Sequence, residues 1–414
     1  MTYSRRRFIA QFTALGAAGA LSACAGGGIP RGAGSPGGLG ADLRPVPDAG
    51  YDAWVSAFRS RAQGQGIADA TLSTAFRDAG YLPGVVTRDR RQTESVRSLE
   101  DYLAITANDD KVAQGRAALA RHRALLAEIE GRYGVPAAVV TAIWGMESNY
   151  GTRRGDIPVI SATSTLAYDG RRGPFFERQL LAALRILQRG DISADRLTGS
   201  WAGAMGHTQF IPTTYQAYAV DFRGDGRRDI WSDDPTDGLA STAAYLSKSG
   251  WQRGAAWGRE VAPGAGGGSL IRPEGAGPAF ERGPNFRTIL RYNNAEKYAI
   301  AVGHLSDRIA GGGPLRTAFG PDRYGLTIDD RKRLQVRLTA AGYDAGAPDG
   351  VLGSKSEAAI SAYQRANGLT VTGTPSRELL GRLGYQAGFP VYRPGGHVGP
   401  PKPRRACIGV DPLI

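Results

Sequence analysis

The sequence predicts a mainly α-helical protein with two folded units. Apolar residues recur at helical spacing through residues 51–312 and again through residues 326–384, whereas the alternation typical of strands is scarce before residue 260. Segments rich in Gly and Pro separate and flank these two regions. At 414 residues the chain exceeds the usual size of one domain, and its apolar content of 42% allows a sizeable core.

The first 24 residues have the pattern of an export signal. Arg5, Arg6 and Arg7 precede a short apolar stretch that ends at Cys24, and this stretch is too short for an ordinary spanning helix. Residues 25–50 are rich in Gly, Pro and Ala and have no apolar period, so we expect them to form a flexible tether.

Several helices are predicted in the first unit. Residues 54–79 favour two short helices, and residues 110–133 favour one helix that ends at Gly134. Further helices are expected over 175–188, 238–249 and 295–309. Residues 262–283 are rich in Gly and Pro and are expected to form a long loop or a small irregular insertion, and the glycines at 311–313 mark the end of the unit.

One predicted helix is almost wholly apolar. It follows Pro136, runs through residues 137–144, should be buried, and carries Glu147 at its C-terminal end. Burial beside Trp144 and Met146 would raise the pKa of a carboxyl and keep it protonated near neutral pH, as a general acid requires. The alternative is a structural Glu147 that caps the helix or pairs with Arg153 or Arg154.

The second unit is predicted to be a compact three-helix module. Helical periods occur in residues 329–341, 354–366 and 376–383, and turns containing Gly and Asp separate them. Residues 388–414 are rich in Pro, Gly and Arg, a composition that predicts a disordered tail.

Charge and cysteine content narrow the classes of partner. The net charge of +13 would suit nucleic acid, anionic lipid or an anionic wall polymer. No run of basic residues interleaved with aromatics occurs in the folded regions, so we expect a solvated basic surface and no nucleic-acid partner. Cys24 and Cys407 are too few for a disulfide framework.

Four sequence blocks in order carry a resemblance to a known family. Residues 144–151 read WGMESNYG, and they are followed by RRGPFF at 171–176, GSWAGAMGHTQFIP at 199–212 and RYNN at 291–294, with Tyr298 after them. Together they resemble the membrane-bound lytic transglycosylase B family, whose fold is lysozyme-like. The resemblance spans residues 51–312.

The resemblance implies a role for each matched residue. Glu147 would be the general acid and base. Ser200, Gln209, Tyr292 and Asn293 would surround the scissile sugar and its acetamido group. Tyr298, Met205 and Tyr102 would offer apolar faces to a pyranose ring, although the match at Tyr102 is short and a core tyrosine is the alternative. Arg171 and Arg172 would meet the lactyl carboxylate or the stem peptide of muramic acid.

The resemblance also implies the reaction. Ordinary glycosidases use two carboxylates, but here it supplies only Glu147. The β-1,4 bond between N-acetylmuramic acid and N-acetylglucosamine would be cleaved without water, metal or organic cofactor, leaving a 1,6-anhydromuramoyl end. The alternatives are a hydrolytic muramidase and a non-catalytic wall-binding lipoprotein.

Both ends of the chain carry further resemblances. Residues 326–384 resemble the peptidoglycan-binding module with three helices, which implies a wall anchor. The N-terminus resembles a twin-arginine signal, and Leu21-Ser22-Ala23-Cys24 resembles a lipobox, which implies acylation of Cys24 and a periplasmic protein anchored by lipid. Ala25, directly after the cysteine, is not the aspartate that acts as a retention signal, so we expect the outer membrane. A soluble periplasmic protein is the alternative.

One loop raises the question of calcium. Residues 221–229 are similar to an EF-hand loop, with Asp221, Asp225 and the later Asp237 as possible ligands. Arg223 and Arg227 occupy positions where an oxygen ligand would help, so a metal-free loop held by Asp–Arg pairs is favoured. His207 has no second histidine or acidic cluster at a metal spacing, which favours a structural role.

Overall fold

A computed structural model describes residues 40–91, 97–262, 264, 269–274 and 277–384. The chain divides into two compact units, with the boundary between Pro321 and Asp322. Both units are built mainly of helices, which confirms the predicted fold class. The expected signal with Cys24, the C-terminal tail and the first part of the tether lie outside the described residues. None of the helices in the described ranges is both long enough and apolar enough to cross a bilayer.

The first unit contains thirteen of the described helices. They are α1 Ala49–Gln63, α2 Asp69–Phe76, α3 Pro83–Arg91, α4 Leu99–Thr106, α5 Asp109–Arg121, α6 Arg123–Tyr133, α7 Ala137–Ser148, α8 Val159–Asp169, α9 Gly173–Arg189, α10 Pro212–Tyr218, α11 Thr236–Lys248, α12 Phe286–Tyr292 and α13 Glu296–Ile309.

Helix α7 lies in the middle of the first unit. Every residue from Val139 to Ser148 is buried, and the helix packs against α5, α6, α11 and α13. An α-helix that is apolar on every side is stable in water only when protein surrounds it. The predicted burial of this helix is confirmed, and it carries Glu147 into the interior.

Two sequence-based expectations are wrong in detail, one about a helix and one about the tether. The single helix expected over 110–133 is two helices, α5 and α6, that meet at His122. The break lets α5 pack on α7 and α13 while α6 packs on α11. Residues 41–50 are not a tether, because Asp42 pairs with Arg88, Val46 bridges to Tyr81 and Asp48 caps α1 through the backbone N–H of Tyr51.

The segment expected to be a loop contains strands. Strands β3 Gly258–Val261, β4 Leu270–Ile271 and β5 Ala279–Arg282 form an antiparallel sheet in the order β3-β5-β4. A smaller antiparallel pair, β1 Ile157–Pro158 and β2 Thr198–Gly199, joins Ile157 to Gly199. Phe280 of β5 is buried and joins the core of the first unit, which gives this insertion an apolar anchor.

The second unit has the three predicted helices, α14 Ile328–Ala340, α15 Ser354–Ala366 and α16 Arg377–Gly384. Its core is separate from that of the first unit and includes Leu334, Leu338 and Ile360. The side chain of Thr327 and that of Asp330 cap the start of α14 reciprocally.

Candidate active site

Glu147 lies in the last turn of α7 with 7% of its surface exposed. The hydroxyl of Tyr298 donates a hydrogen bond of 2.6 Å to Oε1 of Glu147. Burial raises the pKa of Glu147 to about 8, against the opposing effect of the Tyr298 hydrogen bond. The carboxyl is therefore mostly protonated at neutral pH and can donate a proton.

Arg154 does not pair with Glu147. Its guanidinium lies 2.5 Å from the carboxylate of Asp233 and also donates to the carbonyl of Ser232. The described hydrogen-bond partner of the Glu147 carboxyl is the phenol of Tyr298, a neutral group. A neutral partner offsets the effect of burial on Glu147 only in part, which suits an acid held in its protonated form.

Three tyrosines from separate helices surround Glu147. Tyr298 lies on α13 and Tyr292 ends α12, and their rings are nearly parallel with centroids 6.4 Å apart. The hydroxyl of Tyr292 donates 2.7 Å to the carbonyl of Thr208. Burial first, and the neighbouring Glu147 carboxyl second, raise the pKa of Tyr292, of Tyr298 and of the partly buried Tyr102 on α4. All three phenols therefore stay neutral and lie within the electrostatic reach of Glu147.

Residues 199–210 form a loop beside α7. The hydroxyl of Ser200 accepts the backbone N–H of Ala204 at 3.1 Å. Nε2 of Gln209 donates to the carbonyls of Gly206 and Arg154, each at 3.0 Å, which leaves Oε1 to act as an acceptor. Asn293 caps the end of α12 and is 8% exposed.

Met205 departs from its expected position. The residue is fully buried in the core of the first unit, and its backbone bridges to Gly199 and Phe210. In this conformation its side chain has no surface to offer a sugar ring. The two bridges and the buried side chain of Met205 tie the loop to the core of the first unit.

The backbone next to Glu147 is strained. Among non-glycine residues of the described chain, left-handed φ angles occur at Asn149 (51°), Tyr150 (56°) and Gln209 (51°). Nζ of Lys111 holds this turn, at 3.0 Å from the carbonyl of Gly145 and 2.5 Å from Oδ1 of Asn149. Such strain costs about 1–3 kcal/mol per residue and clusters at functional sites.

Arg171 and Arg172 bind a carboxylate of the protein itself. Nε of Arg171 lies 2.5 Å from Oδ2 of Asp89, and Arg172 pairs with Oδ1 of the same residue. Asp89 lies on α3 and is 1% exposed, so the two arginines neutralise a buried charge. Their role toward a substrate carboxylate stays a prediction, for which Arg171, with 38% of its side chain exposed, is the better placed of the two.

The EF-hand-like loop is held by the protein. Asp221 accepts the backbone N–H groups of residues 224, 225 and 226 at 2.6 to 3.1 Å, and Asp237 accepts those of residues 222 and 229 at 2.9 and 2.8 Å. Asp225 accepts the backbone N–H of Arg227 at 2.9 Å. Arg223 pairs with Glu128 at 2.5 Å. Within the described ranges, no group of three or more His, Cys, Asp or Glu residues could hold a metal ion.

Sequence reasoning missed three residues that organise the site. They are Lys111, Asp89 and Thr208. Lys111 and Asp89 stood among many charged residues with no distinguishing spacing. Thr208 acts through its backbone carbonyl, which no side-chain pattern reports.

Two family models match the chain. The model described as the transglycosylase SLT domain matches residues 50–267 and 264–307. The model described as a putative peptidoglycan binding domain matches residues 327–383.

Relatives with solved structures share the fold. SltB3 from Pseudomonas aeruginosa, solved with NAG-NAM-pentapeptide and with NAG-anhNAM-pentapeptide, is 44% identical with a TM-score of 0.64, and the match covers 81% of this chain and 100% of that one. The lytic transglycosylase Slt35 of Escherichia coli, solved in complex with calcium, is 27% identical with a TM-score of 0.55, covering 65% of this chain and 96% of that one.

A curated relative matches over a shorter region. Membrane-bound lytic murein transglycosylase B of Escherichia coli K12 is 34% identical over 211 residues. The match covers 43% of this chain and 58% of the length of that relative.

Proposed function

Because the chain belongs to the transglycosylase SLT-domain family, we propose that it is a lytic transglycosylase of peptidoglycan. It cleaves the β-1,4 bond between N-acetylmuramic acid and N-acetylglucosamine. The observation that carries the proposal is the buried carboxyl of Glu147, whose pKa is raised to about 8 and whose partner is the phenol of Tyr298. The resemblance inferred from the sequence blocks is confirmed by the family match.

The proposed reaction balances protons on Glu147. The acid gives its proton to the glycosidic oxygen as the bond from C1 to that oxygen breaks. The carbonyl oxygen of the substrate's own acetamido group stabilises the positive charge at C1. The Glu147 carboxylate, hydrogen-bonded by Tyr298, then takes the proton of the C6 hydroxyl while the C6 oxygen bonds to C1. The product carries a 1,6-anhydro bridge and no water is consumed.

The surroundings of Glu147 support one carboxylate over two. Hydrolytic glycosidases place a second carboxylate about 5–10 Å from the first. The hydrogen-bond partner of the Glu147 carboxyl is the Tyr298 hydroxyl, not a second acid. A relative of the chain, SltB3, was solved with NAG-anhNAM-pentapeptide, and this supports the lytic reaction over a muramidase that activates water.

The decisive experiment compares wild-type protein with Glu147→Gln on purified sacculi. Glu128→Gln, which removes an exposed carboxylate on α6, is the control. We expect turbidity loss from the wild type and the control, none from Glu147→Gln, and 1,6-anhydro ends in the released muropeptides by mass spectrometry. Equal turbidity loss from all three proteins would reject the catalytic role, and exclusively reducing ends would replace the reaction with hydrolysis.

We also propose that the second unit holds the enzyme on the wall. The support is the match of residues 327–383 to a peptidoglycan-binding domain. Tethering raises the effective concentration of glycan near the site, commonly by orders of magnitude. Sedimentation with sacculi tests this: Glu147→Gln should pellet, and the same variant truncated after Pro321 should pellet less. Equal pelleting would contradict the proposal.

A lipid anchor on Cys24 is proposed for the exported protein. The lipobox pattern and a relative named as membrane-bound support it, and Ala25 favours the periplasmic face of the outer membrane. Labelling of cells with an alkynyl fatty acid should mark the wild type and not Cys24→Ser. Labelling of both would move the anchor elsewhere, and labelling of neither would indicate a soluble periplasmic protein.

We propose finally that the chemistry and the loop of residues 221–237 are independent of calcium. A calcium site needs 6–8 oxygen ligands, whereas no group of three or more His, Cys, Asp or Glu residues in the described ranges could hold a metal ion. Arg223 and Arg227 also occupy positions where an oxygen ligand would help. Isothermal titration with calcium should give no heat of binding, and EGTA should leave the melting temperature unchanged. A micromolar affinity would overturn this proposal.

A further inference from the structure

His207 is a buried histidine beside the catalytic helix that the proposed reaction does not use. Only 3% of it is exposed. Nδ1 lies 3.0 Å from the indole Nε1 of Trp144, and Nε2 lies 2.8 Å from the carbonyl oxygen of Ser232. Its own carbonyl accepts the hydroxyl of Ser148 at 2.9 Å. The residue therefore contacts α7 one turn before Glu147 and again immediately after it.

The two ring partners fix the protonation of His207. An indole N–H only donates, so Nδ1 must accept, and a backbone carbonyl only accepts, so Nε2 must carry the proton. The residue is thus neutral with its hydrogen on Nε2. An imidazolium would set a second donor against the Trp144 N–H in a buried place, which would break the bond.

The pocket for this ring is built by two glycines. A Cβ on Gly151 would lie 2.6 Å from Cε1 of His207, and a Cβ on Gly238 would lie 2.8 Å from its Cβ. Gly151 also has a left-handed φ of 82°. The turn after the catalytic helix and the first turn of α11 therefore both leave space for the imidazole.

The charged groups around His207 come from the neighbouring loops. Burial lowers its pKa most, the carbonyl of Ser232 opposes this, Arg154 lowers it further, and Asp229 and Asp233 raise it. The net direction is downward, which agrees with the neutral form that the hydrogen-bond partners require. Ser232, in the loop of residues 221–237, is thus connected to the catalytic helix by way of His207, which bonds to Trp144.

From this geometry we propose that His207, as the single tautomer with its proton on Nε2, is a positioning residue that holds the helix carrying Glu147. The inference rests on the proposed function. The ring acts through Trp144, and the carbonyl acts through Ser148, so α7 cannot rotate or slide without breaking buried hydrogen bonds. The next residue, Thr208, accepts the hydroxyl of Tyr292 on its carbonyl, so one loop positions both Glu147 and the Tyr292 ring.

His122 supplies a matched control. Its ring meets the Trp144 ring edge-on with centroids 5.5 Å apart, and the His207 ring does so at 5.7 Å. The N–H of Trp144 bonds to His207. A phenylalanine at either position keeps an aromatic contact, but only His207→Phe removes a hydrogen bond from Trp144.

The test measures kcat, KM and their pH dependence for the full chain on soluble, uncrosslinked glycan strands. His207→Phe should lower kcat about tenfold, keep KM within twofold, and move the alkaline limb to lower pH, because water reaching Glu147 weakens the effect of burial. The substitution leaves in place the titratable groups that face Glu147, which are Tyr102, Tyr292 and Tyr298, so they do not cause the expected shift of the limb. His207→Asn keeps an acceptor near Nδ1 and should recover most of the rate. His122→Phe should change none of the three measurements.

A wild-type rate and pH profile for His207→Phe would overturn the inference, and so would equal losses in His207→Phe and His122→Phe. If His207→Phe does not fold, Trp144→Phe removes the donor instead and should reproduce its effects. Nitrogen-15 spectra of the wild type at pH 7 test the tautomer without any activity, so this result stands even if the proposed reaction fails. A proton on Nδ1, or on both nitrogens, would contradict the assignment.

Discussion

Removing one hydroxyl from the site should change both the rate and its pH dependence. Tyr298→Phe deletes the donor that lies 2.6 Å from Oε1 of Glu147 and keeps the ring that stacks on Tyr292. The hydrogen bond favours the carboxylate over the acid, because it lowers the pKa that burial raises. Without it, the pKa of Glu147 should rise above about 8.

The size of the effect follows from the strength of such a bond. A hydrogen bond to a charged group contributes about 1.5–3 kcal/mol, and about 1.4 kcal/mol corresponds to one pH unit or to a factor of ten in rate. The alkaline limb should therefore move up by about one to two pH units. Proton donation leaves a carboxylate without its partner, so kcat should fall about ten- to a hundredfold.

The assay is the pH dependence of kcat/KM on soluble glycan strands, whose alkaline limb reports the pKa of the acid in the free enzyme. A limb that stays in place or moves to lower pH would refute the assignment of Tyr298 as the group that stabilises the Glu147 carboxylate. A lower kcat with an unchanged limb would assign the hydroxyl to the substrate instead.

Further outcomes concern stability. Folding raises the pKa of Glu147 from 4.5 to about 8, so the wild type loses stability as the pH rises through that range. Glutamine stays neutral, and the free energy of unfolding of Glu147→Gln should therefore exceed that of the wild type by up to about 4 kcal/mol at pH 8 and differ little at pH 4.5. Urea denaturation measures both values. Asp89→Asn should lower the free energy of unfolding by up to about 3–5 kcal/mol, because it removes the buried carboxylate that pairs with the partly exposed Arg172. Arg90→Gln, in a more exposed pair, should lower it by less than about 1 kcal/mol in the same measurement. In thermal melts, Gly145→Ala should lower the melting temperature because its Cβ would lie 2.5 Å from the Tyr150 ring, and Gly131→Ala, with open space in α6, should raise it slightly.

The sequence predicted the helices whose own patterns agree with their surroundings. Helix α7 is apolar throughout, and α14 and α15 have clear helical periods, so local pattern and tertiary packing point the same way. Helix α8 was missed because Ser, Thr and β-branched residues disfavour helix in isolation. In the fold, Thr163 and Ser164 satisfy their hydroxyls on carbonyls one turn earlier, and nearly every position is buried.

The site divides in a similar way. Glu147 could be predicted because its position at the end of an apolar helix and its surrounding motif coincide. Met205 belongs to a matching block, but a motif reports neighbours in the chain, not which of them face the core. The pairing of Arg171 and Arg172 with Asp89 depends on α3, a helix distant in sequence whose short run of arginines has no distinctive period.

The left-handed residues at positions 149, 150 and 209 have a consequence for how a glycan is received. Their backbone is already bent into a form that most side chains avoid, and Lys111 and the Gln209 amide hold it there before any sugar arrives. Binding then has little backbone left to order, so a rigid inhibitor of the right shape meets a surface that does not have to adapt. Replacing Asn149 or Tyr150 by glycine would relieve the left-handed strain and at the same time loosen the turn that follows the carboxyl.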